Sequence, residues 1–340
     1  MSPSDRGLDG CCSARESHVE RGDTLPLEPT RPRGPKAELR GALADALLQS
    51  GVAEPADDYF PSKWEKIGDV VLISNFGKGR PAGESVHNLT PRQREALFSV
   101  VASKLKARCV GLQGVIETSL HRKSTARIVW PESTTSGWTE HRCNGILYGL
   151  DVTKSMFSSG NGTEKARVGR FSCEGEIVVD LYAGIGYFTI PYLVQARAAH
   201  VHACEWDRDA LAALAHNLRR NKVEGRCSIH AGDNAGSLCA FEGAAHRVNL
   251  GLIPSSEAGW PIAVRALRDE GGWLHVHANV PQDQQGQDTH VGLIVDKLSL
   301  LVAAAGRRWD LRVEHVERVK RYAPRILHVV VDVLATLRNN

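Results

Sequence analysis

The stretch VVDLYAGIGYFTIPYL, residues 178–193, decides the reading of this chain. β-Branched residues run into Asp180, a turn carries Gly184 and Gly186, and helix formers follow. Strand, glycine turn and helix is the layout with which a parallel α/β sheet presents backbone N–H groups to a ligand beyond its carboxyl edge. The rest of the chain has to say which ligand.

Working outward, strand and helix signals alternate regularly from Glu176 onward. HVHACEWD, CSIHAGD, RVNLGLIP and GWLHVHANV read as strands. RDALAALAHNLRRNK reads as a helix, with apolar residues at 210, 211, 214, 215 and 218, and HVGLIVDKLSLLVAAAG as another. WDLRVEHVERVKRYA and RILHVVVDVLA close the chain as a pair of strands, expected as an antiparallel edge hairpin. That order predicts a doubly wound α/β sheet over residues 151–340, with ligands at its carboxyl edge.

Upstream, ELRGALADALLQ (38–49) has helical spacing, and KWEKIGDVVLIS (63–74) reads as a turn into a strand. Thr90 opens a helix with Pro91 at its first position. Strand-like pieces follow around CVGLQGVI, TARIVWPES and GWTEHRCNGILYGLDVT, so residues 38–150 are expected to form a smaller α+β domain. Residues 1–37, rich in Pro, Gly, Ser and charge, are expected to be a disordered leader.

Composition excludes several classes. The net charge of +3, from 42 basic and 39 acidic residues, is too small to imply a polyanion partner by itself. Between Arg92 and Arg127, however, eight cations (Arg92, Arg94, Lys104, Lys106, Arg108, Arg122, Lys123, Arg127) face two acids, Glu95 and Glu117. These are either solvated faces or a phosphate-contacting RNA surface. Eight cysteines without a C-x-x-C pair suggest neither a zinc site nor a disulfide framework, and no metal is expected. No run approaches 18 apolar residues and the amino terminus lacks a signal-like apolar stretch, so a cytoplasmic location is expected, with no membrane partner. Oligomeric state is not legible.

Dinucleotide turns use a third glycine for close helix packing, and here that slot is Thr189. Asp180 with Gly184 and Gly186 is similar instead to the D-x-x-x-G-x-G turn of class I S-adenosylmethionine enzymes. Two further anchors stand in register. Glu205 closes the next strand, where a carboxylate accepts hydrogen bonds from ribose hydroxyls, unless it merely serves the following helix start together with Asp207. Asp233 and Asn234 end the strand after that, where an acid and an amide can read an adenine edge, although both are also ordinary turn residues. Tyr182 and Tyr187 flank the turn; an aromatic face suits a cationic sulfonium, but at least one of the two is expected to belong to the core.

DVTKSMFSSGNGTEKARVGRF, immediately before the first strand of the sheet, joins DLYAGIGYF, ACEWD, AGDNA and NLGLIPSS in a pattern that resembles the tRNA wybutosine-synthesizing protein 2 family. The resemblance covers about residues 58–337. It implies a Rossmann-like class I methyltransferase-type fold and transfer of the 3-amino-3-carboxypropyl group of S-adenosylmethionine to 4-demethylwyosine in tRNA(Phe), with methylthioadenosine as coproduct. It also implies that Ser158 and Lys165 contact the cofactor beside Asp180, Gly184, Glu205, Asp233 and Asn234. Without the resemblance, SSGNG reads as a flexible linker. Asn249-Leu250-Gly251-Leu252-Ile253-Pro254 departs from the Asn-Pro-Pro-aromatic turn of amino-methyltransferases.

The remaining alternatives are a tRNA guanine-N1 methyltransferase of the same fold, a noncatalytic tRNA-binding protein and, last, a nicotinamide-dependent dehydrogenase. No residue is assigned as catalytic. Glu257, His246, His275 and His277 are the groups able to take the proton that an attacked carbon must shed.

Overall fold

The computed structural model describes residues 34–81, 86–114, 124–134 and 136–338. Most of the leader, together with Arg122 and Lys123 of the basic stretch, lies outside the described residues. The first helix, α1 (Pro35–Gln49), begins three residues before the expected boundary. Its proline stands in the first turn, where the missing N–H costs nothing and the fixed φ suits a helix.

A hairpin follows, β1 (Pro61–Ile67) and β2 (Val70–Phe76), with Gly68 at its turn. The sequence disclosed only its second half, because β1 mixes exposed and half-buried positions and carries a weak apolar alternation. With β3 (Arg80–Pro81), β4 (Cys109–Leu112) and β5 (Arg127–Trp130) these strands form a five-stranded sheet. Helix α2 (Pro91–Leu105) starts as expected at Thr90, in a reciprocal capping box with Gln93. Leu39, Leu43 and Leu47 of α1 and Leu97, Phe98 and Val101 of α2 pack on Val71 and Ile73 of β2.

The opposite face of β2 is buried too. Val70 and Leu72 join Tyr148 and Leu150 of a second hairpin, β6 (Trp138–Cys143) and β7 (Ile146–Asp151), in a core that continues to Val178 and Leu214. The expected boundary at 150 therefore falls inside a strand and inside one hydrophobic core.

The large sheet has the order β10-β9-β8-β11-β12-β14-β13, formed by β8 (Ile177–Asp180), β9 (His200–Glu205), β10 (Cys227–Ala231), β11 (Arg247–Leu250), β12 (Gly271–Pro281), β13 (Trp309–Ala323) and β14 (Ile326–Leu337). The first five pair in parallel, whereas β14 is antiparallel to both β12 and β13. The expected doubly wound sheet and its closing hairpin are both present. Helices α3 (Gly162–Val168), α4 (Thr189–Val194), α5 (Arg208–Arg220), α6 (Trp260–Ala266) and α7 (Gln284–Ala304) cover it. α3 and α6 were not legible, since seven residues give too little periodicity.

Candidate functional site: the carboxyl edge of the parallel strands

Asp180, Glu205, Ala231 and Leu250 end four adjacent parallel strands, so the chain reversals after them share one edge. Strand order reverses between β8 and β11, and a crevice at such a switch point is where open α/β sheets bind ligands.

The turn after β8 owes its shape to its glycines. Gly184 and Gly186 have φ of +56° and +98°. A Cβ on Gly186 would meet Ile190 at 2.8 Å and Leu214 at 3.0 Å, while one on Gly184 would lie 3.1 Å from the Tyr187 ring. Beneath the turn, Asp180 is fully buried and accepts hydrogen bonds from Thr189 Oγ1 at 2.8 Å and Asn249 Nδ2 at 3.0 Å. Burial raises its pKa against those two bonds. Asp180 therefore braces the turn from below instead of facing a ligand. Thr189, which fills the slot of the missing third glycine, holds that brace.

Glu205 is fixed in advance. One carboxylate oxygen accepts from the Gly184 N–H at 2.7 Å, and the other from the Trp206 and Asp207 N–H groups, both at 2.8 Å. The oxygen that takes only the Gly184 N–H keeps acceptor capacity for a further hydroxyl, whereas the other already accepts two bonds. Asp207 separately caps α5 through Ala210, so the side-chain cap of this helix is Asp207 and not Glu205. Asp233 caps a short 3-10 turn through Ala235, and the Asn234 amide reaches the Leu181 carbonyl at 3.2 Å. All of these sequence-identified residues stand at the same edge.

Ser158 and Lys165 arrive from a different direction. Residues 152–170 form a strap across the sheet, a short 3-10 turn (Ser159–Asn161) leading into α3, in place of the flexible linker that SSGNG suggests in isolation. Ser158 is half-buried, and Tyr187 bonds its hydroxyl to the Met156 carbonyl beside it. Lys165 is 1 % exposed. Its Nζ lies 4.5 Å from the Phe157 ring and 5.1 Å from those of Tyr148 and Tyr187, with no hydrogen-bond partner among the described residues. Burial pushes this amine down to about 8. Because Tyr187 lies against both Lys165 and Gly184, the strap and the glycine turn are packed together.

What fastens the strap was invisible in the sequence. Arg167 donates to Glu164 through Nε and Nη2, both at 2.8 Å, and to Asp332 through Nη1 at 2.6 Å. Asp332 in turn lies 2.6 Å from His275 Nδ1. Burial alone would raise the Asp332 carboxyl, but the bonds to His275 and Arg167 outweigh it and hold the group well below the usual range. Glu164, more deeply buried, is raised. The Glu-x-x-Arg spacing of α3 was a local clue; Asp332, 165 residues downstream of Arg167, gave none.

The four groups considered as proton acceptors are not brought together. His246 accepts from the Ile177 N–H at the amino end of the sheet, and Glu257 is tied to Lys297 at 2.7 Å. His275 belongs to the Arg167 cluster. His277 is buried beside Phe188 with Nδ1 3.0 Å from His328 Nε2. Of the basic stretch, Arg92 and Lys104 are exposed near opposite ends of α2, roughly 18 Å apart at helical rise, and Arg108 is engaged by Asp69.

Helix α5 joins this site to the β6–β7 hairpin. Asn217 accepts from the Gly149 N–H at 2.6 Å and donates to the carbonyls of Gly149 and Ile185 at 3.1 and 3.0 Å. Asn221 accepts from the Leu147 N–H at 3.1 Å and donates to its carbonyl at 2.7 Å. The Asn217 amide of α5 and the Asn221 amide at its carboxyl cap thus occupy the outer edge of β7.

Sheet order, glycine turn and strand-end acids define a transferase domain of the class I type, and residues 139–291 match the family model described as the TRM5/TYW2 methyltransferase domain. A zebrafish (Danio rerio) tRNA wybutosine-synthesizing protein 2 homolog is 39 % identical over 326 residues, covering 87 % of this chain and 77 % of the relative. The chain belongs to the tRNA wybutosine-synthesizing protein 2 family. An Arabidopsis thaliana tRNA wybutosine-synthesizing protein 2/3/4 is 44 % identical over 302 residues; that match takes in 88 % of this chain but only 29 % of the longer plant protein. Among solved structures, Pyrococcus horikoshii TYW2 in complex with MeSAdo superposes with a TM-score of 0.68 at 26 % identity, covering 89 % of this chain and all of that one. M. jannaschii TYW2 in complex with AdoMet gives 0.61 at 25 %, covering 81 % and 100 %.

Proposed function

We propose that this chain uses S-adenosylmethionine to transfer a 3-amino-3-carboxypropyl group to 4-demethylwyosine in tRNA(Phe), within wybutosine synthesis. The observation that carries the cofactor assignment is Lys165: a buried ammonium with three aromatic walls and no counter-ion among the described residues fits a ligand bringing its own carboxylate. Glu205 would hold the ribose hydroxyls, Asp233 and Asn234 the adenine edge, and Gly184 leaves room for the ligand backbone. Ser158, next to Phe157 of the cage, would contact the cofactor from the strap. Asp180 acts through the turn as a positioning residue.

When bound, the sulfonium supplies a strongly activated leaving group. This chain's residues then select the product by orientation: whichever carbon is held within about 3–3.5 Å of the nucleophile, in line, is the one transferred. A carboxylate clamped by Lys165 fixes the amino-acid arm. The small domain ahead of the large sheet, including exposed Arg92, Lys104 and Arg127, would contribute RNA contacts, and a cytoplasmic setting suits the free cysteines among the described residues.

The second reading is methyl transfer to a tRNA guanine, since the matched family model spans both activities. Precursor tRNA incubated with S-adenosylmethionine labelled in the carboxyl carbon or in the methyl group separates them. Incorporation from the carboxyl label alone is expected; incorporation from the methyl label overturns the assignment in favour of the second reading.

A further inference from the structure

The three antiparallel strands stand higher than the edge that carries the cofactor residues. β11 ends at Leu250, level with Val276 of β12, but β12 runs on to Pro281 and pairs there with Ile326 of β14. Five residue steps at strand rise make a wall about 16 Å tall beside the crevice. β13 extends it on the outside, and its turn with β14 forms the top.

Charge is distributed unevenly along β13. Residues 309–317 carry Asp310, Glu314 and Glu317 against Arg312. From 318 to 325 the sequence RVKRYAPR holds Arg318, Lys320, Arg321 and Arg325 and no acid, and the next carboxylate in the chain is Asp332. Arg318, Arg321 and Arg325 are exposed, and neither Arg321 nor Arg325 makes an ion pair among the described residues. Tyr322 is 41 % exposed among them. Lys320 sits against Gly160 of the strap, where an added Cβ would meet its side chain at 2.9 Å, so the basic tip and the strap that bears Ser158 are neighbours.

Cations on an edge strand also discourage edge-to-edge pairing. That task needs charge along the edge and is indifferent to sign. Here the lower part of the strand is mixed and the crevice end is purely cationic with an exposed aromatic, the combination that suits phosphates flanking an unstacked base.

We propose that the β13–β14 tip, through Arg318, Arg321, Tyr322 and Arg325, is an RNA-docking wall that grips the backbone on one side of the base entering the crevice. This rests on the proposed RNA substrate. Its contact is separate from the basic stretch ahead of the large sheet, and it leaves the cofactor residues untouched.

The test pairs two titrations of the full chain, with S-adenosylmethionine by calorimetry and with tRNA(Phe) across a salt series. Arg321→Glu together with Arg325→Glu should leave cofactor affinity unchanged, weaken tRNA at least tenfold, and reduce the slope of log affinity against log salt by about two, near one per lost phosphate contact. Tyr322→Ala should weaken tRNA with the slope preserved, as loss of a stacked base would. Unchanged tRNA affinity and slope in the double charge reversal overturn the proposal. If reversal also lowers cofactor affinity, Arg321→Gln with Arg325→Gln decides by the same readouts. A wild-type chain that binds cofactor but no tRNA would instead refute the substrate reading, and the wall with it.

Discussion

The two halves of the crevice are held by different physics. On the glycine-turn side, Glu205 and Asp233 act within a few residues of their strand ends and bond mainly to nearby backbone N–H groups. On the strap side, Lys165 owes its place to Arg167, whose partners are Glu164 one helical turn away and Asp332 on a distant strand. One half is preorganised by local geometry. The other is clamped by buried charge, so it should fail through stability before it fails through binding.

The largest test of that contrast is Arg167→Met. It strands Glu164 and Asp332 without their cation, and breaking a buried pair in this way costs about 3–5 kcal/mol. Urea unfolding should show it, and a loss below about 1 kcal/mol would mean the strap is held by packing alone. On the local side, Glu205→Ala should cost about 1.5–3 kcal/mol of cofactor binding, the worth of charged hydrogen bonds, and, by releasing the Gly184, Trp206 and Asp207 N–H groups at a partly exposed edge, should lower the unfolding midpoint by less than Arg167→Met does. Unchanged affinity in calorimetry removes Glu205 from the site. Gly186→Ala forces a side chain to φ +98° and into Ile190, for about 1–3 kcal/mol of stability.

Lys165→Met sharpens the comparison differently. It should weaken S-adenosylmethionine about tenfold yet leave methylthioadenosine, which lacks the amino-acid arm, unaffected. With the amine pushed down to about 8, wild-type affinity for S-adenosylmethionine should fall as pH rises past 8, where the free ammonium is lost, and the variant should show no such fall.

The smallest effect is acid sensitivity. Burial lowers His202 to about 4 and holds His275 and His277 below 6.5. Unfolded histidines bind protons near 6.5, so the unfolded state gains protons first and stability declines as pH drops from about 6.5 toward 4. The depressed Asp332 extends the loss further into acid, with raised Glu164 partly opposing it. A thermal midpoint that is flat over this window contradicts the buried neutral imidazoles.

Legibility in the sequence follows the same divide. The parallel sheet, its closing hairpin and the positions of Asp180, Gly184, Glu205, Asp233 and Asn234 could be read because strand periodicity and turn chemistry act over short distances. α3 could not, being too short to show a period, and the Arg167–Asp332 clamp joins residues related only by the fold. Asp180 was located correctly, but its inward orientation depends on Asn249, a neighbour supplied by strand pairing. Lys165 and Ser158 were reached only through the family resemblance.

The amides of Asn217 and Asn221 lend α5 an unexpected property. Four helical residues advance about 6 Å, nearly the 6.6 Å between alternate residues of a strand, so the helix gauges Leu147 and Gly149 as a neighbouring strand would. Slippage of β7 by one position would misalign both amides and pull on Ile185 through Asn217, which makes the hairpin's alignment and the shape of the glycine loop a single mechanical setting. A length change within β7 would consequently reach the glycine loop through α5.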